Sequence, residues 1–139
     1  MRFELEPEVA GGLGEKTVMD NSQFPPRVSS LHYEFDGWLG DELLESFPCF
    51  IVTETLANKI KDSGLSGVEI LDVIISKSSD FEELYPNTEL PSFKWLKIDG
   101  DYSKDFSLNS ENLLLVSKSA FDLISQFSIM NCEVREAGT

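Results

Sequence analysis

Apolar and polar positions along the chain follow two periods, and the switches between them mark out its elements. From Ser30 to Asp36 the order alternates, with Leu31, Tyr33 and Phe35 on one face and His32 and Glu34 on the other. That period predicts a half-buried strand with His32 turned to solvent. Phe50-Ile51-Val52 is a short apolar run, Thr53 offers a hydroxyl cap, and Leu56, Ala57 and Ile60 recur at helical spacing until Ser63-Gly64. A strand therefore passes directly into a helix, and Val68 to Ile75 supplies the next strand. Sixty-four residues later the order returns, with Leu114-Leu115-Val116 as strand, Ser117 as cap, Ala120, Phe121 and Ile124 as a helix face, and Ile129 to Val134 as strand. Val52 corresponds to Val116 and Ile60 to Ile124, which reads as two similar strand-helix-strand units of about 25 residues each.

The rest of the chain is less regular. Arg2 to Glu6 alternates as an edge strand would, whereas Gly11, Gly12, Gly14 and Phe24-Pro25-Pro26 predict a loop, so residues 1–28 read as an irregular N-terminal segment. Trp38 to Phe47 mixes Leu39, Leu43 and Leu44 with Asp41, Glu42 and Glu45, predicting one or two helical turns closed by Pro48. Ser79-Asp80-Phe81-Glu82 fits a capping box that opens a turn of helix over Asp80 to Leu84, ending before Tyr85-Pro86. Phe93 to Ile98 predicts a strand, Asp99-Gly100-Asp101 a turn, and Asp105 to Leu108 the approach to the second unit. The sum is an α+β domain spanning 1–139, a mixed or antiparallel sheet with two main helices packed on it.

Composition narrows the function. The 139 residues are 41% hydrophobic and 11% aromatic, enough to bury a core within one domain. Twenty-five acidic residues against 11 basic ones give a net charge of −14. Such a surface is repelled by phosphate backbones, so no nucleic-acid partner is expected. No apolar run approaches the roughly 20 residues of a bilayer span, and the N-terminus lacks the blocks of a signal peptide; a cytoplasmic protein without membrane contact is expected. Cys49 and Cys132, both in strand-like surroundings, read as two buried thiols and not a disulfide.

Candidate chemistry is sparse. Gly11-Gly12-Leu13-Gly14-Glu15-Lys16-Thr17 has the texture of a phosphate loop, but Glu15 separates the last glycine from the lysine. Asp99, Asp101, Ser103 and Asp105 alternate like calcium ligands, yet Lys104 stands where the loop glycine belongs and Ser110 where the bidentate glutamate belongs. The single histidine has no nucleophile motif beside it, zinc lacks a set of four ligands, and carboxylate pairs such as Glu82/Glu83 or Asp41/Glu42 read as a solvated face. No catalytic, cofactor or metal residue emerges, and an enzyme is not expected. What remains are aromatics set among acids: Tyr85 and Tyr102 in loops, Trp38 as either core or anchor, and Trp95 as core.

The run Phe47-Pro48-Cys49-Phe50-Ile51-Val52-Thr53, the segment Leu90-Pro91-Ser92-Phe93-Lys94-Trp95-Leu96, Asp105-Phe106, and Leu114-Leu115-Val116-Ser117 with its helix resemble the immunity proteins of bacterial polymorphic-toxin systems. The resemblance covers about Tyr33 to Val134 and rests on structural motifs. It implies a non-enzymatic antidote that binds a cognate toxin domain, here a basic one, and is itself a monomer or weak dimer. The contact residues expected from this chain's own loops are Trp38, Asp80, Glu82, Glu83, Tyr85, Asp99, Asp101, Tyr102 and Asp105. The alternatives are a small enzyme using carboxylates or a divalent metal at the Asp99 to Asp105 turn, or a structural subunit of a cytoplasmic assembly.

Overall fold

A computed structural model describes residues 1–137, a strand-rich α+β arrangement with three helices among the described residues. The strands fall into several sheets in place of the expected single one. The central sheet has the order β6-β7-β10-β8, from β6 (Leu43–Ser46), β7 (Cys49–Thr53), β10 (Phe93–Ile98) and β8 (Val68–Leu71), all antiparallel. Both of its faces are covered. Leu43, Phe50, Val52 and Leu96 enter one core cluster, while Leu44, Ile51, Phe93 and Trp95 enter the other. Burial on both faces explains why Phe50-Ile51-Val52 shows no alternation.

On one side, the first cluster joins α1 (Glu54–Asp62) and α3 (Lys118–Ile124) to a second antiparallel sheet. Its order is β11-β12-β1-β13, from β11 (Phe106–Leu108), β12 (Leu114–Ser117), β1 (Arg2–Glu6) and β13 (Glu133–Ala137). Each helix starts as its cap predicts, for Thr53 Oγ1 accepts from Leu56 N at 3.3 Å and Ser117 Oγ from Ala120 N at 3.1 Å. On the other side, the second cluster joins a three-stranded sheet, β2 (Gly11–Leu13), β5 (His32–Phe35) and β9 (Ile74–Lys77), to α2 (Ser79–Leu84), whose Phe81 is buried. A hairpin of β3 (Val18–Asp20) and β4 (Arg27–Ser30) stands beside them. A hairpin, a helix and a return strand, with one strand slotted between, recur: β6-β7-α1-β8 around β10, and β11-β12-α3-β13 around β1.

Several expectations are corrected by pairing across the chain. Residues 1–28 are not irregular: they carry β1, β2, β3 and the start of β4, and β1 is no edge strand, because β12 and β13 flank it and Leu5 lies wholly buried. The helical turns expected over Trp38 to Phe47 are replaced by β6, since Leu43 and Leu44 bury on opposite faces, which one side of a helix cannot do. Val68 to Ile75 breaks into β8 and β9, which serve different sheets. The last strand begins at Glu133, not Ile129, because residues 128–131 are tied down by the carboxylates of buried Asp41 and half-buried Glu42. Asp41 takes Asn131 N at 2.8 Å and Asn131 Nδ2 at 2.9 Å, and Glu42 takes Ser128 N at 3.0 Å. Asp41 and Glu42 thus hold the fold together and are not a solvated pair.

Candidate functional site

The nine expected contact residues fall at the two ends of β10. Trp38 meets Phe93, the first residue of that strand, edge-on with ring centres 6.0 Å apart. Tyr85 stands edge-on to Phe81 at 5.7 Å, so the buried Phe81 anchors α2 and fixes Tyr85 at its end. Asp80, Glu82 and Glu83 lie exposed on the same short helix. Asp99 follows Ile98, the last residue of β10, about 16 Å from the Phe93 end at roughly 3.3 Å per residue. Trp38, Tyr85 and the α2 acids therefore form one group, and Asp99, Asp101, Tyr102 and Asp105 another.

The second group is occupied with building its own loop. Asp105 Oδ2 accepts from Ser66 N at 2.9 Å and Ser66 Oγ at 3.0 Å, and Oδ1 accepts from Ser117 Oγ at 2.7 Å. Burial alone would raise this carboxyl, but those hydrogen bonds and the Arg2 charge hold it below the ordinary range. Asp101 accepts from the Ser103 backbone at 2.9 Å, and the Arg2 guanidinium lies over the Tyr102 ring at 4.9 Å. Gly67, at φ +85°, makes the close approach: a Cβ there would lie 2.2 Å from the Phe106 carbonyl oxygen. The Asp101 and Asp105 carboxylates face hydroxyls and amides, and among the described residues no group of three or more His, Cys, Asp or Glu is placed to hold a metal.

Of the first group, Glu82 lines a separate hollow beside Lys77 and Glu89, whereas Trp38 and Tyr85 line a concavity of about 330 Å³ together with Glu8, Val9, Asp36 and Leu39. Its walls are pinned from below. Glu45 N donates to Glu8 O at 2.9 Å, Ala10 N to Tyr33 Oη at 3.0 Å, and Asp36 N to Ala10 O at 2.9 Å. Trp38 Nε1 donates to Asp41 O at 2.8 Å, which fixes the indole. The rim is apolar: Leu39 is 73% exposed, Val9 66%, and the neighbouring Leu84 67%. No lysine or arginine lines the concavity. Sequence reasoning reached Trp38 and Tyr85 but missed Glu8, Val9, Asp36 and Leu39, because only the tertiary fold brings Glu8 and Val9 against the Asp36 to Leu39 loop. Leu39, an apolar residue beside Gly40, was the one available signal.

Two other arrangements bear on chemistry. His32 is buried, not outward, because β5 is a middle strand and the Gly14 to Thr17 turn covers it. Its Nε2 lies 2.7 Å from Ser76 Oγ, a histidine-serine pair invisible in the sequence. Nδ1, however, accepts from Lys16 N at 3.2 Å, so the ring proton sits on Nε2 and is donated to the serine. That is the reverse of a general base withdrawing a serine proton. The glycine cluster is likewise no phosphate loop, since Gly11 to Leu13 is β2 paired to β5. Cys49 is buried and Cys132 half-buried; both are free thiols.

No protein-family model matches the chain, and no curated protein matches it. Among the described residues no helix is long and apolar enough to cross a membrane.

Proposed function

We propose that the protein is a non-enzymatic immunity protein that binds and neutralises a cognate, basic toxin domain. The observation that carries this reading is the Trp38–Tyr85 concavity: two fixed aromatics, an exposed apolar rim and a surround of carboxylates on a chain of net charge −14. Rigid aromatics next to exposed aliphatics are what interface cores use as anchors, and the acids of α2 would speed encounter with a positive partner. Asp80, Glu82, Glu83, Tyr85 and Trp38 form the contact face. Asp99 and Asp101 contribute at a distance through the field of the acidic loop, Tyr102 offers an exposed ring beside them, and Asp105 acts by holding that loop in shape. The protein works in the cytoplasm, free of nucleic acid and membrane, as a monomer or weak dimer before it meets the toxin.

The recurrence of hairpin, helix and return strand supports reading the two halves as copies of one unit, with Thr53 and Ser117 as equivalent caps. Homologous sequences aligned to themselves at the sixty-four-residue offset should retain those equivalences; a loss of all of them refutes the duplication.

The deciding experiment is capture of partners by the tagged protein from its native source at low and moderate salt, with mass spectrometry and a toxicity assay. A single basic toxin domain, recovered in stoichiometric amount and silenced, is the expected result, and the W38A/Y85A double variant should release it. Recovery of no partner from cells shown to express the toxin overturns the proposal, as does equal retention by the double variant.

A further inference from the structure

The concavity has a floor that a flat acidic face would not need. Glu8 is only 8% exposed, yet it lines the space between Trp38, Leu39 and Tyr85. Its Oε2 accepts from Leu39 N at 2.9 Å, while its Oε1 is buried and forms no hydrogen bond of normal geometry, the Asp41 amide standing near the carboxylate. Such an oxygen is half-solvated by protein and wants a positive partner. Burial holds the Glu8 carboxyl above its ordinary range, the charge of Asp41 adds to this, and the Leu39 and Asp41 amides draw it back. Asp36, exposed at the same concavity, adds a second carboxylate.

We propose that this concavity is a receptor for one basic side chain, lysine or arginine, presented by a protein partner. The cationic head is held by the charges of Glu8 and Asp36, both of which line the concavity, and the aliphatic stem runs past Trp38 and Tyr85. Two aromatics and two carboxylates with no competing cation form the environment that ammonium and guanidinium groups select. The volume, about 330 Å³, lies at the small end of ligand pockets, which run from about 300 to 1,000 Å³, and suits a single long side chain. The hydrogen bonds that pin Glu8, Ala10, Asp36 and Trp38 make the receptor pre-formed, so little ordering is lost on binding. The source of the side chain rests on the immunity reading above; the chemistry of the pocket does not.

The test uses the full chain and three small probes: N-acetyl-arginine methylamide, N-acetyl-lysine methylamide, and the uncharged citrulline analogue. Two-dimensional NMR follows the Trp38 indole N–H and the amides of Ala10 and Leu39. At least one cationic probe is expected to shift these signals saturably in the millimolar range, the tighter of the two naming the side chain. The citrulline analogue should leave them unmoved. E8Q, which keeps an oxygen for Leu39 N but loses the charge, should weaken binding at least fivefold, and D36N, at an exposed position, should weaken it severalfold. Equal shifts from citrulline, or equal binding by D36N and by folded E8Q, overturn the proposal; D36N alone decides if E8Q does not fold. A chain that silences a toxin yet ignores the cationic probes refutes the pocket alone. One that takes the probes but captures no toxin refutes the immunity reading alone.

Discussion

Replacing Asp105 by alanine separates a residue that holds the fold from one that meets a partner. Three donors, Ser66 N, Ser66 Oγ and Ser117 Oγ, converge on its carboxylate within 2.7 to 3.0 Å. Ser66 Oγ accepts in turn from Asp105 N at 3.1 Å, and Ser117 Oγ also caps α3 through Ala120 N. The carboxylate therefore joins the turn before β8, the approach to β11 and the start of α3. Hydrogen bonds to a charged group contribute about 1.5–3 kcal/mol each when buried, but this site is half-buried and water can replace part of the loss. Three such bonds, discounted for exposure, give a destabilisation of about 2–4 kcal/mol. For a chain of this size that lowers Tm by about 10 °C. D105N, which retains one acceptor oxygen, should lose about half as much. The folded carboxyl lies below its ordinary value of 3.8, so its contribution is full above that pH and fades as pH falls through the folded value. The Tm gap between wild type and D105N should accordingly be wide at pH 7 and narrow toward pH 3. Thermal melts followed by circular dichroism measure all three quantities. A D105A protein that melts within about 1 °C of wild type, while losing toxin affinity, would show that Asp105 is a contact residue and that the hydrogen bonds are incidental.

Burial, helped by the Glu6 charge, raises the Glu45 carboxyl to about 7. The unfolded chain then ionises at lower pH than the folded one, so this group costs stability as pH rises from about 4.5 to 7; E45Q should gain on wild type in Tm between pH 5 and 7.5, and a constant difference refutes the assignment. Burial pushes both thiols up to about 12, with Asp41 adding to the effect at Cys132. A disulfide-exchange reagent at pH 8 should therefore find almost no thiolate in the native protein and two equivalents after urea unfolding; rapid native reaction of either cysteine contradicts this. Charge reversal at Glu82 should weaken toxin binding about tenfold through contact, whereas reversal at Asp101 should slow association and flatten its salt dependence while leaving dissociation unchanged. Stopped-flow binding at two salt concentrations separates the two, and identical effects would remove the distinction between the ends of β10.

Local chemistry fixed what local chemistry can fix. The caps at Thr53 and Ser117, the amphipathic faces of α1 and α3, the strand at β10 and the core position of Trp95 all depend on residues within a turn or two of one another, and each was legible in the chain. The cap of α2 lies one residue earlier than the expected capping box: Ser78 accepts from Phe81 N at 3.2 Å, and Ser79 is the first residue of the helix. Trp38 and Tyr85 could be singled out in the chain as aromatics set among acids and turn residues, although Trp38 packs on the second core cluster. Most of what misled, or was missed, depends on tertiary pairing, much of it over long separations; β6, in a tight hairpin with β7, is the local exception. β1 is a central strand only because β12 and β13, more than a hundred residues away, close on both its edges. Leu43 and Leu44 make a strand only because β7 pairs with them and cores form on both sides. His32 is buried by a turn whose sequence looks like a loop, and the Asp41 and Glu42 carboxylates turn inward because the chain from 128 to 131 returns to them. The same long-range closure sets Glu8 beneath Trp38. A carboxylate that reads as one acid among 25 thereby becomes a buried, half-satisfied group beneath an open concavity, a property that resides in the arrangement of the chain and in no single stretch of it.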